Sequence, residues 1–371
     1  MIIGVPKERK DQETRVALTP SGVRSLVACG HTVLIEENAG LLSAFSNEEY
    51  REMGAVIIPN AKSVWDKAEM ILKVKEPIES EYEHFRPELT LFTYLHLAPL
   101  PELTDRLLKD RVTGIAYETV SGSGNTLPLL TPMSEVAGRM SIQVGASYLE
   151  KSKSGRGVLL GGVPGVPPAN VCVLGGGIVG INAAKIALGM GADVTIIDLN
   201  LNRLRELDDI FHGRIKTLAS NSYNIARAVT LADLVVGGVL LPGKSAPKIL
   251  TADMIKTMKP GSVIVDVAID QGGCIETARP TSHSDPSYEV HGVIHYCVTN
   301  MPAAVPHTST LALTNATLPF VVQLANLGPI NAIKANPSLA EGLNTYQGNL
   351  TCFGVAQSQG RSWKAPVELV A

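Results

Sequence analysis

Val171-Cys172-Val173-Leu174-Gly175-Gly176-Gly177-Ile178-Val179-Gly180 runs four apolar residues straight into a glycine-rich turn. The pattern reads as a buried strand, a G-x-G-x-x-G turn and the start of a helix. Gly175 permits the tight turn, Gly177 lets the backbone approach a pyrophosphate, and Gly180 permits close packing of the helix on its strand. Amides at that helix N-terminus then face phosphates. Glycine turns also serve as plain connectors, so the flanking sequence decides between the two readings. A helix is predicted over 178–190, with Ile181, Ala184, Ile186 and Leu188 able to pack on a sheet and Gly191 as its stop. Asp193-Val194-Thr195-Ile196-Ile197-Asp198 follows and ends on an acid 18 positions beyond Gly180. That is about the separation at which a carboxylate meets ribose hydroxyls.

Working outward, strands are predicted at 171–174, 193–198, 215–219, 233–239, 262–267 and 293–298, with helices at 202–209, 222–228 and 251–258. Six strands make the two mononucleotide-binding halves of a full dinucleotide fold. Residues 1–128 repeat the alternation, with strands at 2–5, 31–36, 55–58, 70–74, 89–95 and 113–117 separated by short helices. Such alternation implies a mostly parallel sheet covered on both faces. Ser121 to Asn125 is turn chemistry, and a helix opens at Thr131-Pro132 with Met133, Val136, Met140 and Val144 on one stripe, as in a connecting helix. After Pro302 a long uncharged helix reaches Ile333, a short helix follows at 339–343, and 364–371 is left open between an ordered and a disordered tail. The expected fold class is therefore α/β, with two doubly wound, mostly parallel-sheet domains and a cleft between them. One is a Rossmann nucleotide-binding domain over 129–304. The other is a discontinuous substrate and catalytic domain of 1–128 plus 305–371.

Composition narrows the classes of function. The chain has 371 residues, 45% hydrophobic and 18% charged, which is ordinary for a globular protein on the apolar side and suggests an oligomer. A net charge of -3, with no basic run beyond Lys7 to Lys10, argues against a nucleic-acid partner. The five cysteines are scattered without a C-x-x-C pair, so neither a disulfide framework nor a zinc site is indicated, and a reducing cytoplasm fits. The N-terminus lacks the apolar core of a signal peptide. The stretch 302–333 contains Pro306, Pro319 and Pro329 with many Thr and Asn, which suits a buried helix better than a membrane span.

Lys75, His96 and Asp270 each follow a predicted strand, where ligands of open α/β sheets bind, and Arg15 lies in an early loop. Together they supply cations for a carboxylate, a group that titrates near neutrality and an acid beside it, which is what reduction of an oxo acid requires. Each also fits an ordinary role: Arg15 and Lys75 as solvated charges, His96 as a structural histidine, Asp270 as a turn residue before Gly272-Gly273. His291 and His295 have the spacing of a metal pair but no third ligand, so no metal is expected.

Several long stretches carry a family resemblance. Gly4-Val5-Pro6-Lys7-Glu8, Arg15-Val16-Ala17-Leu18-Thr19-Pro20, Lys73-Val74-Lys75-Glu76-Pro77 and Tyr94-Leu95-His96-Leu97-Ala98 lie in the first half. Pro132-Met133-Ser134-Glu135-Val136-Ala137-Gly138-Arg139 and Asp266-Val267-Ala268-Ile269-Asp270-Gln271-Gly272-Gly273 lie further on. From residue 1 to about 363 the chain resembles the alanine dehydrogenases, with the nucleotide-binding part of proton-translocating transhydrogenase and the saccharopine dehydrogenases as relatives by pattern. The resemblance implies reversible NAD-dependent oxidative deamination of L-alanine to pyruvate and ammonium by a cytoplasmic homohexamer. It implies that Arg15 and Lys75 hold the substrate, that His96 is the acid/base and that Asp270 is a second catalytic residue. It assigns NAD contacts to Ser134, Ile178, Val179, Asp198, Arg203 and Ser220, to Val239 and Leu240, and to Val267, Ala268, Ile269 and Asp270. Arg279 and the run Val298, Thr299, Asn300 and Met301 complete that set. Some relatives bind magnesium through a glutamate and a histidine; Gln323 and Leu327 stand there, so no metal is carried over. A transhydrogenase-like component that exchanges hydride only with a partner, and a non-catalytic NAD-binding protein, are the alternatives.

Overall fold

The computed structural model describes residues 1–239 and 246–370. The chain forms two compact units, 1–133 with 303–371, and 134–302. The division falls inside the helix Thr131–Tyr148.

The first unit opens with β1 (Ile2–Val5), β2 (Thr32–Glu36), β3 (Val56–Ile58), β4 (Met70–Leu72), β5 (Thr90–Thr93) and β6 (Thr113–Ala116). The second holds β7 (Asn170–Leu174), β8 (Asp193–Asp198), β9 (Lys216–Ala219), β10 (Leu234–Gly237), β11 (Val263–Asp266), β12 (Ser287–Val290) and β13 (Val293–Tyr296). The chain then returns to the first unit for β14 (Leu343–Tyr346) and β15 (Asn349–Leu350).

The first sheet has the order β15-β14-β6-β5-β4-β1-β2-β3, parallel from β1 to β6 and antiparallel at β14 and β15. The second has the order β12-β13-β11-β10-β7-β8-β9, parallel except for β12. Every residue of β4, β5, β6, β10, β11 and β13 is buried, because helices cover both faces of a parallel sheet. Each sheet therefore contains the 3-2-1-4-5-6 winding, and its order reverses between β1 and β4 in the first unit and between β7 and β10 in the second. Ligands bind outside the carboxyl ends of the strands at such points.

Three expectations change. The strand 89–95 is only Thr90–Thr93 and the strand 70–74 only Met70–Leu72, so short loops intervene before His96 and Lys75. A hairpin adds β12, its turn made by His291 and Gly292, both at positive φ. The single helix after Pro302 is two, Pro306–Leu327 and Pro329–Ala335, bent by 116° at Gly328. Gly328 at φ 74° supplies a backbone that other residues rarely adopt, and Pro329 starts the second helix with its fixed φ. The tail, open between order and disorder in the sequence, contains the short helix Pro366–Val370. Among the described residues no single helix is long and apolar enough to cross a membrane.

Candidate functional site

In the first unit the segments leaving β1, β4, β5 and β6 meet around His96. Its backbone is held in the left-handed region at φ 47°. Glu118, just after β6, makes that tolerable: its carboxylate accepts the His96 amide at 2.6 Å and the Leu95 amide at 3.1 Å. The imidazole lies on the Tyr94 ring, centroids 5.6 Å apart at 25°, and Tyr94 is fixed in turn by donating its hydroxyl to Leu129 O at 2.5 Å. Nδ1 of His96 is 3.2 Å from Glu76 Oε2, and Lys10 pairs with the other oxygen of that carboxylate. Burial pushes the Glu76 carboxyl up, but the hydrogen bond and charge of His96, with Lys75 and Lys10, outweigh it and hold it at about 2.

Arg15 is not a solvated charge. Only 2% of it is exposed, and its guanidinium grips Glu13 with Nε at 2.7 Å and Nη2 at 2.5 Å while Nη1 reaches Met133 Sδ at 3.0 Å. Burial alone lowers its pKa; the Glu13 charge and hydrogen bonds reverse the direction, so it stays a cation. Beneath the site Lys73 sits between Glu8 at 3.1 Å and Glu81 at 3.0 Å, all three buried. Burial pushes the Glu8 carboxyl up against the pull of Lys73. Glu8 also accepts the Val74 amide at 2.6 Å, which pins the strand end that carries Lys75 and Glu76. Lys75 is half-buried, and its carbonyl accepts the Thr93 hydroxyl at 3.1 Å. The unit thus sets Lys75 and an imidazole after its strand ends and a buried Arg15 in the loop after β1, with Glu76 and Glu13 paired to cations, an arrangement suited to a small carboxylate with a reactive neighbouring carbon.

In the second unit the glycine turn has the geometry its sequence implies. Gly175 has φ 97° and donates to Ile197 O at 2.8 Å, and a Cβ there would stand 2.8 Å from Gly238 O. A Cβ on Gly180 would be 1.9 Å from Gly175 O, so no side chain fits. At Gly177 a Cβ would meet nothing within 4 Å, and no side chain caps the helix Ile178–Gly189 that begins with Ile178 and Val179. Its first amides are therefore open to an anion. Asp198 ends β8, accepting the Gly176 amide at 2.6 Å and the Asn200 amide at 2.7 Å. Arg203 bonds the carbonyl of the same residue, Nε to Gly176 O at 2.7 Å, and pairs with Glu206 at 2.9 Å.

Other expected contacts lie at the same sheet end. Ser220 follows β9 and donates its amide to Asp198 O at 2.9 Å, and Val239 follows β10; Leu240 lies outside the described residues. Val267, Ala268, Ile269 and an exposed Asp270 form the short helix Val267–Gln271 directly after β11. Val298, Thr299, Asn300 and Met301 follow β13, with Asn300 at φ 59°. Two residues sit on other elements. Ser134 is one turn before Gly138, whose Cβ would stand 2.3 Å from Val179 O, so that helix passes close to the turn. Arg279 lies over the Tyr288 ring, 4.1 Å from its centroid. His291 and His295 do not share a strand face: His291 is in the hairpin turn, and buried His295 bonds Val293 O and Thr277.

Glu13, Glu76, Glu118 and Asp266 escape the sequence reading. Glu76 and Asp266 stand inside the quoted motifs, beside residues chosen for their charge; Glu118 follows β6 as His96 follows β5, and that parallel was the available signal. Asp266 is fully buried at the end of β11, accepting the Ala268 and Ile275 amides at 3.1 and 3.3 Å, and burial pushes it up to about 6.

Residues 4–137 match the model of the alanine dehydrogenase/PNT N-terminal domain, and residues 141–352 match that of its C-terminal domain. The chain is similar to an alanine dehydrogenase of Methanococcus maripaludis, 61% identical over 359 residues that span 96% of each chain. It is 61% identical over 361 residues to an alanine dehydrogenase of Bacillus subtilis, covering 97% of this chain and 95% of that one. A solved L-alanine dehydrogenase superposes with a TM-score of 0.95 at 53% identity, covering 97% of this chain and 99% of that one. A transhydrogenase of Sinorhizobium meliloti shares the fold, with a TM-score of 0.80 at 24% identity over 95% of this chain and 99% of that one. Both domain models and near-full-length relatives agree: the chain belongs to the alanine dehydrogenase/PNT family.

Proposed function

We propose that the chain is an L-alanine dehydrogenase, converting L-alanine, NAD and water into pyruvate, ammonium and NADH, and running the reverse. The observation that carries this reading is the set of His96 and Lys75 after β5 and β4, both beside Glu76, with buried Arg15 next to the Tyr94 that stacks on His96, in a chain whose near-full-length relatives are named alanine dehydrogenases. The second unit fits NAD. Open space at Gly177 and uncapped amides suit the pyrophosphate, and Asp198 keeps acceptor capacity for the ribose hydroxyls.

When bound, NAD supplies the hydride acceptor for the α-carbon of alanine. In this reading Arg15 and Lys75 bind the substrate carboxylate and the oxygen of the carbonyl product, fixing the α-carbon. His96 takes a proton from the water that adds to the imino carbon and returns one to the departing amine. Asp270, exposed on its short helix after β11, is the second acidic group this reading assigns to the reaction. The assay is NADH formation by the purified chain with L-alanine and NAD, and its consumption with pyruvate and ammonium. Absence of both reactions in a protein that binds NAD would instead favour a component that needs a partner to accept hydride.

A further inference from the structure

We infer that Glu76 is the positioning residue for His96: its carboxylate holds the proton on Nδ1 and so makes Nε2 the nitrogen that exchanges protons with the substrate. The identity of that substrate rests on the proposed deamination; the assignment of the ring nitrogen rests on the geometry.

An ionised carboxylate only accepts hydrogen bonds, so the ring nitrogen 3.2 Å from Glu76 Oε2 carries a hydrogen. A neutral imidazole has one such hydrogen. With it on Nδ1, the lone pair is on Nε2, and the bond made by one nitrogen decides the state of the other. The carboxylate is itself held. Its side chain is 8% exposed, Lys10 pairs with its second oxygen, and His96, Lys75 and Lys10 keep it charged against the effect of burial.

The ring is held on one side. Tyr94 covers one face, and Glu118 fixes the strained backbone from which the ring projects. Among the described residues no protein group bonds Nε2, and the side chain is 39% exposed. When Nε2 takes a proton, the imidazolium that results is countered directly by Glu76, the service a buried carboxylate performs for a catalytic histidine elsewhere. Glu76 is no proton carrier in this scheme. It contacts two basic side chains and keeps its charge while His96 cycles.

A merely structural Glu76, serving only to anchor Lys10, would leave the ring tautomer alone. The experiment is magic-angle-spinning 15N NMR of histidine-labelled protein at a pH where His96 is neutral, its signals assigned by their loss in His96→Asn. It is paired with steady-state kinetics of Glu76→Gln and Lys10→Met. The expected spectrum of the parent protein has Nδ1 protonated and Nε2 bare, and Lys10→Met keeps it. Glu76→Gln is expected to lower kcat by ~10²-fold or more while KM for alanine and the Kd for NAD stay within about threefold, as fits loss of a histidine's partner charge. A proton on Nε2 in the parent protein, kcat within about threefold in Glu76→Gln, or loss of the Nδ1 proton in Lys10→Met would overturn the inference. Should Glu76→Gln not fold, the spectra of the parent protein and Lys10→Met decide alone. An inactive parent protein counts against the deamination reading, whereas the spectra test Glu76 regardless.

Discussion

Glu76 and Asp266 are buried carboxylates at strand ends, yet one is held at about 2 and the other is pushed to about 6. The difference is the company each keeps: two lysines and an imidazole around Glu76, mostly backbone amides and a thiol around Asp266. Their effects on stability have opposite signs. Glu76 binds its proton less tightly folded than unfolded, so its contribution is complete above pH 4.5 and is lost as pH falls toward 2. Asp266 binds its proton more tightly when folded, so stability falls as pH rises from 3.8 to about 6. Asp266→Asn removes that slope. Urea unfolding is expected to show the parent protein losing about 3 kcal/mol relative to the variant between pH ~3 and pH ~7. Parallel pH profiles for the two proteins would show that Asp266 is ionised at no cost. His96→Ala is expected to abolish turnover while calorimetric titration with NAD is unchanged; near-normal alanine oxidation would remove His96 from its role. At this scale Arg15, Lys75 and His96 could be singled out from the sequence because they stand in long motifs. The carboxylates that hold them could not. Glu118 reaches the His96 amide from 22 positions away only because β5 and β6 are parallel neighbours, and no local pattern states that.

Among the elements, the glycine turn separates two functions that its sequence merges. Gly180 has no room for a side chain and Gly177 has room that faces open space. Gly180→Ala is therefore expected to cost about 1–3 kcal/mol in stability, with the thermal midpoint falling to match. Gly177→Ala is expected to unfold like the parent protein but bind NAD more than about tenfold more weakly, because its methyl occupies the approach to the helix amides. Equal NAD affinity in Gly177→Ala would place the pyrophosphate elsewhere. The strands β7, β8, β10 and β11 were legible as apolar runs, because strands of a covered parallel sheet are buried on both faces. β12 has no such run; Ser287-Tyr288-Glu289-Val290 is a half-exposed edge. β14 was hidden by its polar residues. Asn344 and Thr345 are buried there because Asn344 donates to Thr119 and Gly342, and Thr345 bonds Val112 and Gly114. Thr119, Val112 and Gly114 are remote in sequence. The bend at Gly328 was readable from Gly328-Pro329, a pair that stops one helix and starts another.

At the scale of the whole molecule, the two units share one winding: the first carries Lys75 and His96 after its strand ends and Arg15 in its first loop, the second a glycine turn with an acid at the next strand end. The parallel pairing within both sheets was legible from alternation, because parallel strands need a crossover and short helices supply it; the order of the strands was not. The return of 343–350 to the first sheet as antiparallel strands was not, since nothing local marks a strand's partner. The central claim is that hydride leaves the α-carbon of alanine for a nicotinamide. Incubation of the purified chain with NAD and L-alanine deuterated at that carbon tests it most directly. The account gives reduced nicotinamide carrying one deuterium, in equal amount with pyruvate. Reduced nicotinamide without deuterium, or pyruvate formed without any reduced nicotinamide, would contradict it.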